Sequence, residues 1–261
     1  DINIKKDTLL SIYKKLLSNK WQYMTYLFNT PDKAFIWASP EKHLKIENSQ
    51  VTMNPIAWTF PKLDFDTFYK RLLEFANDEK EINELFMVLD EELKMMLKIS
   101  ETWNIQGPYF KDSWAVIHSE YELVWKLKEL YSILWALKET LYAPTLVWWP
   151  LESAFKLIKK YEWDSRKYYG WAFWILDKDF LDTAIVIRTA CIDKVNNTLS
   201  VRAWAWVVKD SVPEKETNET IVKSNWFLNS IINPKANDNY LEKLSKDEMI
   251  KNIDKLKKDL F

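Results

Sequence analysis

Glycine is almost missing from this chain. Only Gly107 and Gly170 occur among 261 residues, against an average usage of about 7%. Cysteine is as scarce. Cys191 stands alone, which excludes an internal disulfide and a cysteine-built zinc cluster and fits a reducing cytoplasmic setting. Net charge is missing too: 37 Lys and Arg against 38 Asp and Glu leave −1. Nothing in that balance points to nucleic acid or to a membrane surface. No stretch approaches the ~18 apolar residues of a transmembrane helix. The chain opens at Asp1 without Met and without an apolar signal region, which reads as a fragment or a processed chain.

What is abundant instead is tryptophan, with 15 residues. Tryptophan and glycine together make up about 6.5% of the chain, an ordinary glycine fraction. Many tryptophans are therefore expected at positions where glycine belongs. The remaining composition, 48% apolar and 29% charged, is that of a globular protein. A chain of this length can bury roughly 70–75% of its unfolded surface.

Apolar spacing predicts a helix over 7–18 with Asp7 as its cap. Short strands are expected over 22–54, with turns at Asn29–Asp32 and Asn48–Ser49. Residues 65–99 read as helical. Gly107–Pro108 reads as a break, 114–122 as a strand, 126–141 as a helix ending before Pro144, and a further helix follows Pro150. Residues 168–177, 182–193 and 198–208 read as three consecutive strands, and Pro213 opens another helix. Strands interleaved with long helices indicate α+β. The tail from Pro234 is rich in Lys, Asp and Asn and reads as an exposed helix or linker.

Two acidic helices stand out. Glu81 and Glu84 lie three residues apart on one, and Glu216 and Glu219 on the other. That spacing puts each pair on one helix face. Four facing carboxylates repel unless a cation lies between them, and oxygen-only ligands favour Mg²⁺. A solvated charged face is the alternative. Arg188 interrupts an apolar strand, so it needs a partner; its planar fork suits a carboxylate, either a ligand's or a structural one. Lys223 follows Glu219 by four residues, the spacing of an intrahelical ion pair. His118 is either a hydrogen-bonded core histidine or a proton donor.

The segments FIWASPEKH, MNPIAWTF, DEKEINELFMVLDEELKMM, NIQGPYFKD, IHSEY, ETLYAPTLVWWPLESA, RKYYGWAFW, TAIVIRTA and VRAWAWVVKDSVPEKETNETIVKS follow one another in this order. Together they resemble the chorismate-utilising enzymes of the anthranilate synthase large-subunit type, over about residues 10 to 232. MNPIAWT, MVLDEELKMM, GPYFK and the APT and WWPLESA words look most like the phenazine-pathway branch, the 2-amino-2-desoxyisochorismate synthases. The fold this implies is two packed, mostly antiparallel β-sheets with helices on the outer faces, truncated at the N-terminus. A catalytic domain over 1–232 and a charged linker or helical tail over 233–261 follow from it.

The tryptophans map onto the same motifs. The family pattern reads GASPE where this chain has Trp37, PIAGT where it has Trp58, and two small residues at Trp148 and Trp149. It reads Y-x-G-x-x-G at Tyr169, Trp171 and Trp174, and AGAGIV at Ala203-Trp204-Ala205-Trp206-Val207-Val208. Trp21, Trp103, Trp125 and Trp226 also fall on glycine-like positions; Trp114, Trp135 and Trp163 carry no information. Some bacterial lineages read UGA as glycine, and translating such a gene with tryptophan at UGA produces this pattern. UGG codons at these sites would sink the idea. Taken literally, tryptophan adopts positive φ poorly and adds roughly 150–250 Å² of side chain.

The resemblance implies chorismate as substrate and Mg²⁺ as cofactor, with Glu84 and Glu219 as metal ligands and Glu81 and Glu216 in the same cage. It places Arg188 and Tyr169 on the enolpyruvyl carboxylate. Thr59, Ala203 and Ala205 fall among the substrate-binding residues, His118 near the departing C4 hydroxyl, and Lys223 near the metal. It implies amination at C2 with ammonia from a glutamine amidotransferase domain or subunit, and leaves a homodimer open. Asn54 stands where isochorismate-forming relatives carry glutamate, which favours ammonia over water. Two alternatives stay open: anthranilate synthase, with pyruvate elimination, and a catalytically dead docking subunit should the tryptophans be genuine.

Overall fold

Alternation along Ala34-Phe35-Ile36-Trp37-Ala38 sets the two faces of the first sheet. In the computed structural model, which describes residues 6–18, 22–62, 66–101, 104–113, 116–162, 164–196, 198–208 and 211–232, these residues lie in β2 (Lys33–Ser39). It pairs antiparallel with β1 (Met24–Asn29) and with β10 (Thr189–Asp193), and β11 (Thr198–Arg202) completes a four-stranded sheet in the order β1-β2-β10-β11. Ala34, Ile36 and Ala38, with Ala190 and Ile192, face α1 (Lys6–Ser18), which supplies Leu9, Ile12 and Leu16. Those three share one helix face, so α1 seals this side of the sheet. The helix begins at Lys6, so Asp7 lies inside it rather than at its cap.

The second sheet has seven strands in the order β5-β7-β4-β3-β9-β8, with β6 also on β7, and every pair is antiparallel. They are β3 (Lys42–Glu47), β4 (Gln50–Met53), β5 (Ile56–Pro61), β6 (Ile105–Ser113), β7 (Val116–Lys126), β8 (Ala172–Asp177) and β9 (Phe180–Ile185). Leu44, Ile46, Val51, Met53, Ile117 and Leu123 pack against Leu72 of α2 (Phe68–Ala76) and Leu85, Leu89, Met96 and Ile99 of α3 (Glu79–Ile99). The opposite faces of the two sheets meet. Trp37 lies 5.2 Å from Phe173 between ring centroids, and the Tyr23 hydroxyl donates to Asp182 at 2.5 Å. This is the expected pair of antiparallel sheets with outer helices.

The turn at Asn48–Ser49 has φ of 51° and 63°, as a two-residue hairpin requires. Elsewhere the boundaries moved. The helical stretch 65–99 is two helices, because Asp78 turns extended and caps α3 by accepting from Lys80 N. Gly107–Pro108 does not end an element. It is a register shift inside β6, and a Cβ on Gly107, at φ 124°, would sit 2.9 Å from Glu120 O. This is a bulge that only glycine accommodates. The expected helix 126–141 starts late, as α4 (Ile133–Thr140) capped by Ser132. Residues 121–125 instead keep the two-residue burial alternation of β7.

Residues 182–193 form two strands. The chain leaves the large sheet after Ile185 and enters the small one at Thr189, passing through Arg188 at φ 52°. The strand expected over 198–208 stops at Arg202, and 203–208 are irregular. A single turn, α5 (Pro144–Val147), precedes α6 (Leu151–Tyr161), and α7 (Pro213–Ile232) closes the described chain. Trp21, Trp103, Trp114 and Trp163, the side chains of Trp58 and Trp226, and the tail over 233–261 lie outside the described residues.

Candidate active site

The irregular segment after β11, the crossover at Arg188 and the facing helices α3 and α7 enclose one cleft of about 80 Å³. It gathers nine of the residues singled out from sequence: Thr59, Glu81, Glu84, His118, Tyr169, Arg188, Ala203, Glu219 and Lys223. Ala205 does not line it. Glu216 lines a neighbouring cavity that shares Thr59, Glu81 and Glu219 with the cleft.

The acidic wall comes from two helices. Burial pushes the Glu84 carboxyl up to about 7, against the pull of the Lys80 ammonium; burial likewise raises Glu81. Burial would raise Glu219 as well, but Lys223, the Thr59 hydroxyl and Lys80 outweigh it and hold the carboxyl low. Lys223 Nζ lies 2.5 Å from Glu219 Oε1 and donates to Trp204 O at 3.2 Å. Lys80 Nζ lies 2.9 Å from Glu216, 3.1 Å from Glu84 and 3.4 Å from Glu81. Among the described residues, no three His, Cys, Asp or Glu side chains stand as a ready metal site while the Lys80 ammonium lies among them. An oxygen-only set spread over two helices nevertheless suits Mg²⁺, which binds through one or two carboxylates plus an anionic ligand.

The basic wall faces it. Burial lowers the Arg188 guanidinium, partly countered by Tyr169 and Glu219. Its left-handed backbone turns the chain between the two sheets, and such backbones concentrate at functional sites. Tyr169, pushed up by burial, is held in a turn whose amide donates to Arg166 O. His118 is buried on β7.

Sequence reasoning missed three residues. Glu41, directly after Pro40, is 5% exposed, accepts from the Thr145 hydroxyl at 2.7 Å and is pushed up to about 7 by burial. Its position inside the ASPEKH word was the available signal. Arg202, at the end of β11, also lines the cleft and pairs with Asp164. Lys80 was hidden by the charge run that surrounds it. Two indoles lie in the same cleft: Trp206 donates to Thr145 O at 2.6 Å and stands 6.0 Å from Trp204 and 4.9 Å from Trp148 between ring centroids.

Comparison with known proteins agrees with this architecture. A phenazine-specific anthranilate synthase of Pseudomonas chlororaphis is 35% identical over 243 residues, covering 89% of this chain and 38% of its own. Anthranilate synthase component 1 of Buchnera aphidicola subsp. Pemphigus spyrothecae is 31% identical over 237 residues, covering 85% of this chain and 45% of its own. This chain therefore spans less than half the length of either relative. The crystal structure of anthranilate synthase component I from Streptococcus pneumoniae TIGR4 superposes with a TM-score of 0.72 at 28% identity, covering 83% of this chain and 48% of that one. Residues 2–229 match the chorismate binding enzyme family, and the chain belongs to it.

Proposed function

We propose that this chain is the chorismate-binding part of an aminating synthase that converts chorismate and ammonia into 2-amino-2-desoxyisochorismate and water. One observation carries the reading: a single cleft sets a buried guanidinium, Arg188, against the carboxylates Glu81, Glu84 and Glu219. A dicarboxylate with one end gripped by arginine and the other by a carboxylate-bound cation fits that polarity.

Glu84 and Glu219 are the residues that would hold Mg²⁺, with Glu81 and Glu216 beside them. When bound, Mg²⁺ supplies the charge that neutralises the ring carboxylate of chorismate. Arg188 and Tyr169 orient the enolpyruvyl carboxylate. Ammonia bonds to C2, the ring double bonds shift, and the C4–O bond breaks. The departing hydroxide takes a proton and leaves as water. Glu41, partly protonated at neutral pH and buried in the cleft wall, and His118 are the two residues able to give that proton. Lys223 keeps Glu219 ionised. Ammonia comes from a glutamine amidotransferase domain or subunit, a reading supported by a relative named as component 1 of its synthase.

The Buchnera relative supports a second reading, in which pyruvate is also eliminated and anthranilate results. Trp204 and Trp206 inside the cleft support a third, a docking subunit without activity. Incubation with chorismate, Mg²⁺ and ammonium, followed by mass analysis of the products, separates them. The aminated, pyruvyl-retaining product supports the proposal. Anthranilate with pyruvate replaces it with the second reading, and unchanged chorismate replaces it with the third.

A further inference from the structure

Lys80 is a cation already seated in the acidic cage. It stands in the first turn of α3, two residues beyond the capping Asp78, where its own amide is held by the Asp78 carboxylate. Its ammonium contacts three of the four cage carboxylates, within 2.9–3.4 Å, and links α3 to α7 through Glu216. The fourth, Glu219, is served by Lys223 and Thr59. Carboxylates crowded this closely repel, and a lysine point charge relieves the repulsion without demanding a fixed geometry. An ammonium and a divalent cation cannot occupy the same oxygens at once.

The surroundings give Lys80 somewhere to go. The cavity on the outer side of the cage is lined by Lys80 itself, Asp78, Glu79 and Asn83, and shares its inner wall with the cleft. The side chain is 20% exposed, toward that cavity rather than sealed in the core. Resting on the Mg²⁺ reading above, we infer that Lys80 is a built-in counter-cation. It holds the two helices together when no metal is present, and it gives up the carboxylates when a divalent cation enters. Metal affinity is thus set by competition with a residue of the chain itself, and the cage keeps its shape while empty.

The test is titration of Mg²⁺ alone, by calorimetry at constant ionic strength, into the chain and its K80M, K80R and K215M variants. Lys215 lines the same outer cavity and controls for a general change in charge. K80M is expected to bind Mg²⁺ at least about tenfold more tightly than the unchanged chain, while K80R and K215M change less than about threefold. In EDTA, K80M melts below the unchanged chain, and Mg²⁺ restores it; K80R melts like the unchanged chain. If K80M folds only when refolded with Mg²⁺, the inference also holds, whereas failure to fold under both conditions counts against it. Equal Mg²⁺ affinity in K80M and the unchanged chain, or equal tightening in K215M, overturns the inference and leaves the Mg²⁺ reading standing. No binding by any of the four overturns both.

Discussion

Thr145 donates its hydroxyl to Glu41 at 2.7 Å inside the cleft wall, and both side chains are buried. The bond joins α5 to the residue directly before β3, and it opposes burial in setting the acidity of Glu41. Removing it in Thr145→Val takes away the largest effect that opposes burial, leaving only the Lys111 and Lys223 charges, so the Glu41 carboxyl moves above 7. If Glu41 supplies the proton to the leaving hydroxyl, the alkaline limb of the pH–rate profile lies near 7 in the unchanged chain and moves to higher pH in T145V. Glu41→Gln is expected to lower turnover by about 10²–10⁴-fold while still binding chorismate. An unmoved alkaline limb in T145V assigns the proton to His118 instead.

The same carboxyl makes stability depend on pH. Its folded value, about 7, lies above the ordinary 4.5, so the folded chain holds the proton more tightly than the unfolded one. The sign follows: its favourable contribution is complete below about 4.5 and is lost as pH rises through 7, amounting to about 3 kcal/mol. Glu92, buried and raised by the same desolvation, acts in the same direction. Denaturant unfolding between pH 5 and 8 should show stability falling with pH, and more shallowly in E41Q. Parallel curves for the two proteins count against a buried, proton-holding Glu41.

Trp148 has φ 76° and ψ 174° where α5 ends, a region of backbone space essentially reserved for glycine, at a cost of roughly 1–3 kcal/mol for other residues. It is one of the positions where the family pattern has a small residue. Trp148→Gly should therefore be more stable than Trp148→Ala by that same margin, and melt at a higher temperature, because alanine loses the indole but keeps the Cβ. Equal stability of the two variants removes the backbone argument. In the source organism, the codon at 148 is expected to be UGA, and peptide mass analysis of the native protein should read glycine.

Arg188 is expected to act through its planar fork. Arg188→Lys keeps the charge but loses the paired donors that match a carboxylate. The KM for chorismate should rise at least about tenfold with melting temperature nearly unchanged, since a bidentate ionic grip is worth roughly 1.5–3 kcal/mol. A KM within twofold of the unchanged chain places the enolpyruvyl carboxylate elsewhere, with Arg202 as the other guanidinium that lines the cleft.

Much of this architecture was legible because local pattern and tertiary demand agree. The apolar run of β2, the left-handed Asn48–Ser49 turn and the proline-led α7 all follow from residues within a few positions of one another. The misread places are those where distant contacts decide. Gly107–Pro108 looks like a terminator, yet β7 holds both sides of it in one strand as a bulge. The apolar run around Arg188 looks like one strand, yet the four-stranded sheet claims its later half. In the site, the motif words reached Arg188, Glu84 and Glu219. Lys80 escaped because a lysine amid glutamates looks like a solvated pair until α7 brings Glu216 to it.

Trp204 and Trp206 give the sharpest functional contrast. Both line the cleft, and the Trp206 indole is fixed by its bond to Thr145 O and by its contacts with Trp148 and Trp204. Each indole fills roughly 150–250 Å² of surface that glycine would leave open, so the chain as it stands has less room for chorismate than a glycine chain. The double variant W204G/W206G should bind chorismate at least about tenfold more tightly, a gain of about 1.4 kcal/mol. Its Mg²⁺-dependent turnover should be correspondingly higher. Adding W148G should preserve that gain and offset the stability lost with the two indoles. Tighter binding by the chain with all three tryptophans in place would show that the indoles are genuine parts of the site, stacked on the substrate rather than standing in its way.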